Sequence, residues 1–231
     1  MQNPWIIFGI IITLLLVGAF YLAGTDGSAN NEGVVEMTHV KGNPDAEVVL
    51  VEYSDFQCPA CQAITPVVNQ LMLEYGDFIR LEYKNFPIER IHPFAIQAAV
   101  AAEAAGQQGK FYEFNDLLFD NQLTWAQSSD PSVFFEQYAQ ELGLDMETFR
   151  RHSNASMLRE KVLRQQQEGL EAGVTGTPTM FLNGERMQYS TYDEFVLQVI
   201  TAVDPSLVPR TESADPEVIG EKEGEPVRFG I

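Results

Sequence analysis

Two cysteines with two residues between them are the part of this sequence best suited to chemistry. Cys58 and Cys61 are the only cysteines among 231 residues, and the dipeptide between them is Pro59-Ala60. Two thiols within one helical turn can form a disulfide and exchange it with other thiols. A helix is predicted to begin here, and its free N–H groups and dipole would stabilise a thiolate at Cys58. We therefore predict Cys58 as the nucleophile and Cys61 as the resolving thiol.

Two other uses of the cysteines fit the sequence less well. A structural zinc site needs four ligands, and none of the three histidines, His39, His92 and His152, has finger-like spacing to the pair. A purely structural disulfide would close a very short loop, which stabilises a fold little. Redox chemistry is the better interpretation, and neither a metal nor a cofactor is predicted.

A strand and a helix are predicted to hold the dithiol. The β-branched run Val48–Tyr53 fits a buried strand, and a helical pattern follows, with Pro59 at a first position where a missing N–H costs nothing. A second alternating strand is predicted at Phe78–Phe86. Strand, helix and strand make a βαβ unit with parallel pairing, which indicates an α/β fold.

After the second strand, the apolar residues recur with helical periodicity along most of the following sequence. We predict an inserted helical subdomain over about 90–173, followed by a hairpin whose strands flank Asn183-Gly184 and a last helix that begins at the capping box Thr191-x-x-Glu194. Asp145 and Asn154 are predicted to cap two helices of the insertion.

Charge and hydropathy limit the partners. The formal net charge of -19 would repel nucleic acid and anionic lipid surfaces. The apolar run 4–24 predicts a single transmembrane helix within an anchor at residues 1–24, and a cleaved signal peptide is the alternative. We further predict a flexible tether at 25–33, a domain at 34–203 and an acidic disordered tail at 204–231.

Three stretches carry a resemblance to a known family. They are VEYSDFQCPACQ from Val51, FPIERIHPFAIQAAVAAEAAGQQGKFYEFNDLLFDNQ from Phe86, and GVTGTPTMFLNG from Gly173. In these stretches the chain resembles the DsbA-like and BdbD-like thiol oxidoreductases over roughly residues 35–203. The resemblance implies a thioredoxin fold with an inserted helical subdomain, here preceded by a transmembrane helix.

The resemblance also implies roles for residues outside the dithiol. It implies a cis peptide bond between Thr177 and Pro178, with both residues facing the cysteines and binding substrate. Glu52 matches an acidic residue beneath the family's active site. Burial on an apolar strand would raise its pKa and let it exchange a proton with Cys61, although a strand Glu can also simply be exposed at an edge. Lys84 could pair with Glu52 or remain a solvated surface lysine.

The function predicted from these features is that of a membrane-anchored, extracytoplasmic thiol:disulfide oxidoreductase acting on thiols of secreted proteins. Oxidation is the favoured direction, with reoxidation by a membrane partner of the DsbB or vitamin K epoxide reductase-like kind, and a monomer is expected. Pro-Ala between the cysteines departs from the Pro-His of the strongly oxidising DsbA type, and Thr177 replaces a valine found there. A reductase or isomerase, and a non-catalytic peptide-binding chaperone module, remain the alternatives.

Overall fold

A computed structural model of the chain describes residues 5, 9–14 and 29–207. Within these ranges, no helix combines the length and the apolar character needed to cross a membrane. Most of the predicted anchor, residues 1–24, lies outside the described residues. The tail beyond residue 207 also lies outside them.

The centre of the fold is a mixed five-stranded sheet with the order β1-β3-β2-β4-β5. Its strands are β1 (Val40–Gly42), β2 (Val48–Ser54), β3 (Ile79–Asn85), β4 (Thr179–Leu182) and β5 (Glu185–Arg186). The central pair β2 and β3 is parallel, as the βαβ pattern predicted, and the other pairings are antiparallel. The strand that leads into the dithiol therefore lies in the middle of the sheet.

Helices cover both faces of this sheet. They are α1 (Pro59–Tyr75), α2 (Ala95–Gly106), α3 (Phe111–Asp120), α4 (Gln122–Ala126), α5 (Ser132–Glu141), α6 (Met146–Ser153), α7 (Ser156–Glu171) and α8 (Tyr192–Val203). Helices α2 to α7 form one insertion between β3 and β4, where the helical periodicity predicted it. The predicted α/β thioredoxin-like fold is therefore confirmed, whereas the preceding transmembrane helix is not shown.

The alternation of side chains along β2 decides what lies beneath the dithiol. Leu50 packs with Ile64 of α1 in one core cluster, so every second residue of β2 faces this helix. Glu52 and Ser54 have the same parity as Leu50, and both are buried. Two polar side chains therefore extend an apolar row toward the start of α1.

The opposite face of the sheet is covered by α7 at close range. A Cβ atom added to Gly169 would lie 2.7 Å from Cδ2 of Phe86 and 2.9 Å from Cδ1 of Tyr53. Only glycine allows the helix backbone to approach these two rings. The sequence pattern alone did not indicate this contact.

The turn between β4 and β5 has the conformation that its sequence predicted. Asn183 and Gly184 both have positive φ, 51° and 85°, as a type I′ turn requires. Thr191 accepts a hydrogen bond from the Glu194 N–H at 3.2 Å and so caps α8.

The segment before β1 corrects two predictions. Residues 29–33 were predicted as flexible tether, yet Ala29–Asn31 form a 3-10 turn and the Asn31 carboxamide accepts a hydrogen bond from the Met157 N–H at 3.1 Å. Asn154 was predicted to cap α7, but its amide donates to the Arg150 carbonyl instead. Asn31 supplies the cap because the fold brings it against the first turn of α7, although it is distant in the sequence.

The beginning of the predicted disordered tail needs a smaller correction. Pro205–Leu207 form a 3-10 turn directly after α8. The Asp204 carboxylate accepts a hydrogen bond from the Ser206 N–H at 2.8 Å, which stabilises the turn. Residues 205–207 are therefore ordered.

A buried ionic cluster joins the insertion to the sheet. One oxygen of the Glu103 carboxylate lies 2.7 Å from Nε2 of His39 and 2.5 Å from Nζ of Lys161. The other oxygen accepts a hydrogen bond from the Asn85 amide at 2.8 Å. Burial raises the pKa of Glu103, but His39 and Lys161 outweigh it and hold the pKa below its ordinary value. The cluster thus links α2, α7, β3 and the segment before β1.

Candidate active site

Cys58 lies between the end of β2 and the start of α1, as predicted. It occupies the N-cap position of α1 with φ −79° and ψ 122°, and Pro59 is the first helical residue. The Cys58 side chain is 8% exposed and Cys61 is fully buried one turn further along. Both are free thiols. Of the two sulfurs, that of Cys58 is the one a substrate can reach.

The two thiols have very different acidities. The pKa of Cys58 is lowered to about 5, chiefly because the Cys61 thiol donates a hydrogen bond to its sulfur, with further help from Thr177 and from the N–H groups at the start of α1. Burial and the neighbouring Cys58 sulfur raise the pKa of Cys61 well above its ordinary value. Near neutral pH, the thiolate is therefore at Cys58 and the proton at Cys61.

Thr177 approaches the dithiol from the loop before β4, and Pro178 follows it. The Thr177-Pro178 peptide bond is cis, as the resemblance implied. The Cys58 thiol lies 3.4 Å from the Thr177 carbonyl oxygen, toward which it can donate a hydrogen bond. Thr177 and Pro178 are partly exposed, so an extended peptide can approach the sulfur along them.

Glu52 is buried on the sheet beneath α1 and is only 4% exposed. Burial raises its pKa to about 7, an effect that the Ser54 hydroxyl and the charge of Lys41 partly offset. Lys84 does not take part: it lies opposite Tyr53 in the register and pairs with Glu168 at 3.2 Å. Glu52 is therefore a buried carboxyl group and not an exposed edge residue. Lys84 does not pair with it and is a surface lysine.

Ser54 and Tyr83 complete this buried polar group and were not singled out from the sequence. The Ser54 hydroxyl, the Tyr83 hydroxyl and Oε1 of Glu52 have no hydrogen-bond partner of good geometry among the described residues. The Ser54 hydroxyl still lies close enough to lower the pKa values of Glu52 and Cys61. Ser54 therefore lies between a carboxyl group and a thiol that can exchange a proton. The alternation of β2 could have revealed it, since Ser54 follows Glu52 by two residues.

Asp55 supports the loop that carries Cys58 and was also missed. Its buried carboxylate accepts hydrogen bonds from the Gln57 and Ile88 N–H groups and lies 2.7 Å from Nδ1 of His92. Its carbonyl accepts the Cys58 N–H at 3.0 Å. These contacts connect the dithiol to the start of the helical insertion.

The site thus brings the dithiol close to Thr177 and Glu52, whereas Lys84 lies outside it. Cys58 and Cys61 lie at the start of α1, Thr177 faces Cys58, and Glu52 lies beneath the helix. In the described part of the chain, no group of three or more His, Cys, Asp or Glu side chains is arranged to hold a metal ion. The geometry suits thiol–disulfide exchange at Cys58 with proton transfer at Cys61.

Comparison with protein families and solved structures agrees with this geometry. The sequence profile of the thioredoxin family matches residues 34–200. A thioredoxin-like oxidoreductase from Silicibacter pomeroyi DSS-3 is 26% identical, with a TM-score of 0.60 over 71% of this chain and 91% of that one. BdbD from Bacillus subtilis is 21% identical, with a TM-score of 0.62 over 77% and 97%. The predicted resemblance to DsbA-like and BdbD-like proteins is confirmed.

Curated relatives present the same domain within longer proteins. The Na(+)/H(+) antiporter NhaA 1 of Mycobacterium sp. (strain KMS) is 37% identical over 155 residues, which are 65% of this chain and 24% of that protein. That of Mycolicibacterium vanbaalenii is 39% identical over 154 residues, 64% of this chain and 24% of that protein. The chain therefore spans about a quarter of the length of the curated relatives it matches.

Proposed function

We propose that this chain, which belongs to the thioredoxin family, is a thiol-disulfide oxidoreductase of the DsbA type and oxidises dithiols of extracytoplasmic proteins at its Cys58–Cys61 disulfide. The observation that supports this direction is the lowered pKa of Cys58 beside the raised pKa of Cys61. A stabilised Cys58 thiolate favours the reduced enzyme, so the disulfide readily gives up its oxidising equivalents.

The exchange proceeds in two balanced steps. A substrate thiolate attacks the Cys58 sulfur, the Cys58–Cys61 bond breaks, and Cys61 leaves as a thiolate. A second substrate thiolate then attacks the substrate sulfur of the mixed disulfide and releases Cys58 as a thiolate. The substrate is oxidised by two electrons and the enzyme is reduced. The low pKa of Cys58 makes it a good leaving group in the second step.

Glu52 gives the first step a proton source. Cys61 leaves into a buried position where its pKa is high, so it must be protonated at once. A carboxyl group with a pKa of about 7 keeps its proton in about half of the molecules at neutral pH and lies on the strand below. Glu52 therefore donates its proton to Cys61, by way of the Ser54 hydroxyl, and recovers it from solvent.

An equilibrium and a trapping experiment test the oxidant role. The purified protein is equilibrated with glutathione redox buffers and then mixed with a reduced peptide that contains two cysteines. We expect a protein disulfide that is more easily reduced than glutathione disulfide, and oxidation of the peptide by the wild type. The reduced Cys61→Ser variant, mixed with the oxidised form of the peptide, should accumulate the mixed disulfide at Cys58, because no Cys61 thiol is present to release the peptide. Cys58→Ser should do neither. A protein that glutathione disulfide oxidises readily would instead be a reductase, and equal peptide binding without exchange would indicate a binding module.

The location of the domain is a separate part of the proposal. The apolar run at residues 4–24 supports a membrane anchor. We further propose that the domain lies outside the cytoplasm and is a monomer that a membrane redox partner reoxidises. Cells that produce the full chain should retain it in membranes after carbonate washing, and a thiol reagent that cannot enter the cytoplasm should label Cys58. A chain recovered in the soluble cytoplasmic fraction would contradict this location.

A further inference from the structure

Gln122, the first residue of α4, reaches the loop that carries the nucleophile. Its side chain is 2% exposed, and its amide nitrogen donates to the Phe56 carbonyl at 2.8 Å and to the Cys58 carbonyl at 2.9 Å. A carboxamide has two N–H bonds, so one uncharged group can serve both carbonyls. The helical insertion therefore holds the backbone of the nucleophile itself.

The position of this amide is fixed by the packing of α4. Trp125 of the same helix is fully buried, and its indole N–H donates to the Leu118 carbonyl at 2.7 Å. The Phe135 ring packs against the indole with centroids 5.4 Å apart. Because the helix is anchored in the core of the insertion, the Gln122 amide cannot follow a loop that moves away.

The orientation of the Cys58 peptide unit matters for its sulfur. Cys58 is the N-cap of α1, and its sulfur must point back at the free N–H groups of Ala60 and Cys61 to accept their hydrogen bonds. The Cys58 carbonyl also accepts the first intrahelical bond, from the Gln62 N–H at 3.1 Å. Gln122 adds a second donor to this carbonyl and fixes the Phe56 carbonyl two residues earlier, so it restricts rotation of the loop about the N-cap.

We propose that Gln122 is a positioning residue through which the helical insertion sets the redox equilibrium of the dithiol, by holding the Phe56–Cys58 loop so that the Cys58 sulfur faces the N–H groups of α1. The proposal rests on the proposed thiol–disulfide exchange, and it extends that function from the dithiol loop to a residue 64 positions away. Gln122 touches no reacting atom and acts only through the backbone.

The test compares Gln122→Met with Gln62→Met. Met keeps the volume of the side chain but removes the donors. Gln62 crosses the same interface, donating to the Phe119 carbonyl at 2.7 Å, but its side chain holds no carbonyl of the Phe56–Cys58 loop. Gln122→Met loses two hydrogen bonds between the Phe56–Cys58 loop and the insertion, and Gln62→Met loses one between α1 and the insertion. Only Gln122→Met frees the loop that carries the nucleophile.

Three measurements are made on each protein: the thiolate absorbance of the reduced form against pH, the glutathione equilibrium, and urea unfolding. For Gln122→Met we expect the acid dissociation constant of Cys58 and the equilibrium constant for reduction by glutathione both to fall about three- to tenfold, the size of effect that one hydrogen bond supports. Gln62→Met should lower stability yet leave both constants within about twofold, since its side chain does not hold the loop.

The outcomes separate this proposal from the oxidant role. The oxidant role depends on the wild-type equilibrium constant, whereas the positioning role depends on the ratio between variant and wild type. A folded Gln122→Met with wild-type constants would overturn the positioning role alone. If that variant does not fold, the ¹⁵N resonance of the Gln122 side-chain amide is followed in the reduced wild-type protein. This resonance should shift as Cys58 titrates. No shift would overturn the proposal.

Discussion

At the scale of single residues, the site depends on where protons reside. Cys58 and Cys61 are chemically identical side chains one turn apart, and their pKa values move in opposite directions because one sulfur accepts hydrogen bonds and the other is buried beside it. Glu52 has an acidity between these two groups. Two thiols that would share one pKa in water are thereby placed on either side of the Glu52 pKa.

The acidity of Cys58 has a direct spectroscopic consequence. In the reduced protein, thiolate absorbance near 240 nm should rise with a midpoint of about pH 5. Because the folded pKa lies below that of a free thiol, about 8.5, ionisation stabilises the folded reduced protein above that value, and this contribution is lost as the pH falls through 5. The Cys58→Ala variant should lack the transition. A midpoint near 8.5 in the wild type would contradict activation at the helix terminus.

Ionisation of the buried Glu52 carboxyl group should lower the free energy of unfolding at alkaline pH. Its folded pKa of about 7 lies above the ordinary 4.5, so the unfolded chain loses its proton first and stability falls as the pH rises from 4.5 to 7. In the disulfide form, Glu52→Gln should therefore gain up to about 3 kcal/mol in unfolding free energy at pH 8, relative to its effect at pH 4.5. Urea unfolding at both pH values measures the change.

The control for this prediction is Glu47→Gln, which alters an exposed carboxylate just before β2. It should change the unfolding free energy little at either pH. The explanation would fail if Glu52→Gln destabilised the protein equally at pH 4.5 and pH 8, because that would indicate lost packing and no ionisation.

At the scale of elements, close packing of α7 on the sheet depends on one glycine. Gly169→Ala gains helix propensity, worth about 1 kcal/mol, but its methyl group would overlap the Tyr53 and Phe86 rings. Overpacking of this kind costs about 1–3 kcal/mol, so we expect a net loss of stability in thermal or urea unfolding. Gly176→Ala, whose Cβ would meet no atom within 4 Å, is the matched control. A Gly169→Ala variant more stable than the wild type would show that α7 can shift outward.

The elements that the sequence predicted well are those that local signals specify. Strand β3 alternates residue by residue, the Asn183-Gly184 turn needs two positive φ angles, and Thr191 caps the helix that it precedes. Contacts between distant segments could not be predicted in this way. Asn154 has the residue type of a cap for α7, but Asn31 fills that role from 126 residues away. Gln122 and Asp55 were missed for the same reason, since their partners become neighbours only in the fold.

At the scale of the whole molecule, the buried Glu103 makes the sheet and the insertion one unit. Glu103→Gln leaves the Lys161 ammonium buried without its anion, which should cost about 3 kcal/mol or more in urea unfolding at pH 7. Replacing Lys161 by Met in the same chain removes the unpaired charge and should restore part of the loss. Because Glu103 also accepts a hydrogen bond from Asn85 of β3, the cluster couples the insertion to the sheet, and we expect a single unfolding transition in the wild type.

Two outcomes would contradict this interpretation of the cluster. Glu103→Gln could be as stable as the wild type, which would mean that Lys161 reaches solvent or loses its proton at little cost. Alternatively, the double variant could be no more stable than the single one, which would mean that shape and not charge is what the cluster provides.

The cap that Asn31 gives to α7 bears on the order in which the chain becomes structured during synthesis. Asn31 leaves the ribosome long before Met157, the residue whose N–H it receives. The segment that contains Asn31 therefore has no docking site until well over a hundred further residues have been made. Helix α7 acquires its cap only when its first turn and this segment are both present. Completion of this contact joins the segment before β1 to α7, and only afterwards can β4, β5 and α8 be added to the sheet.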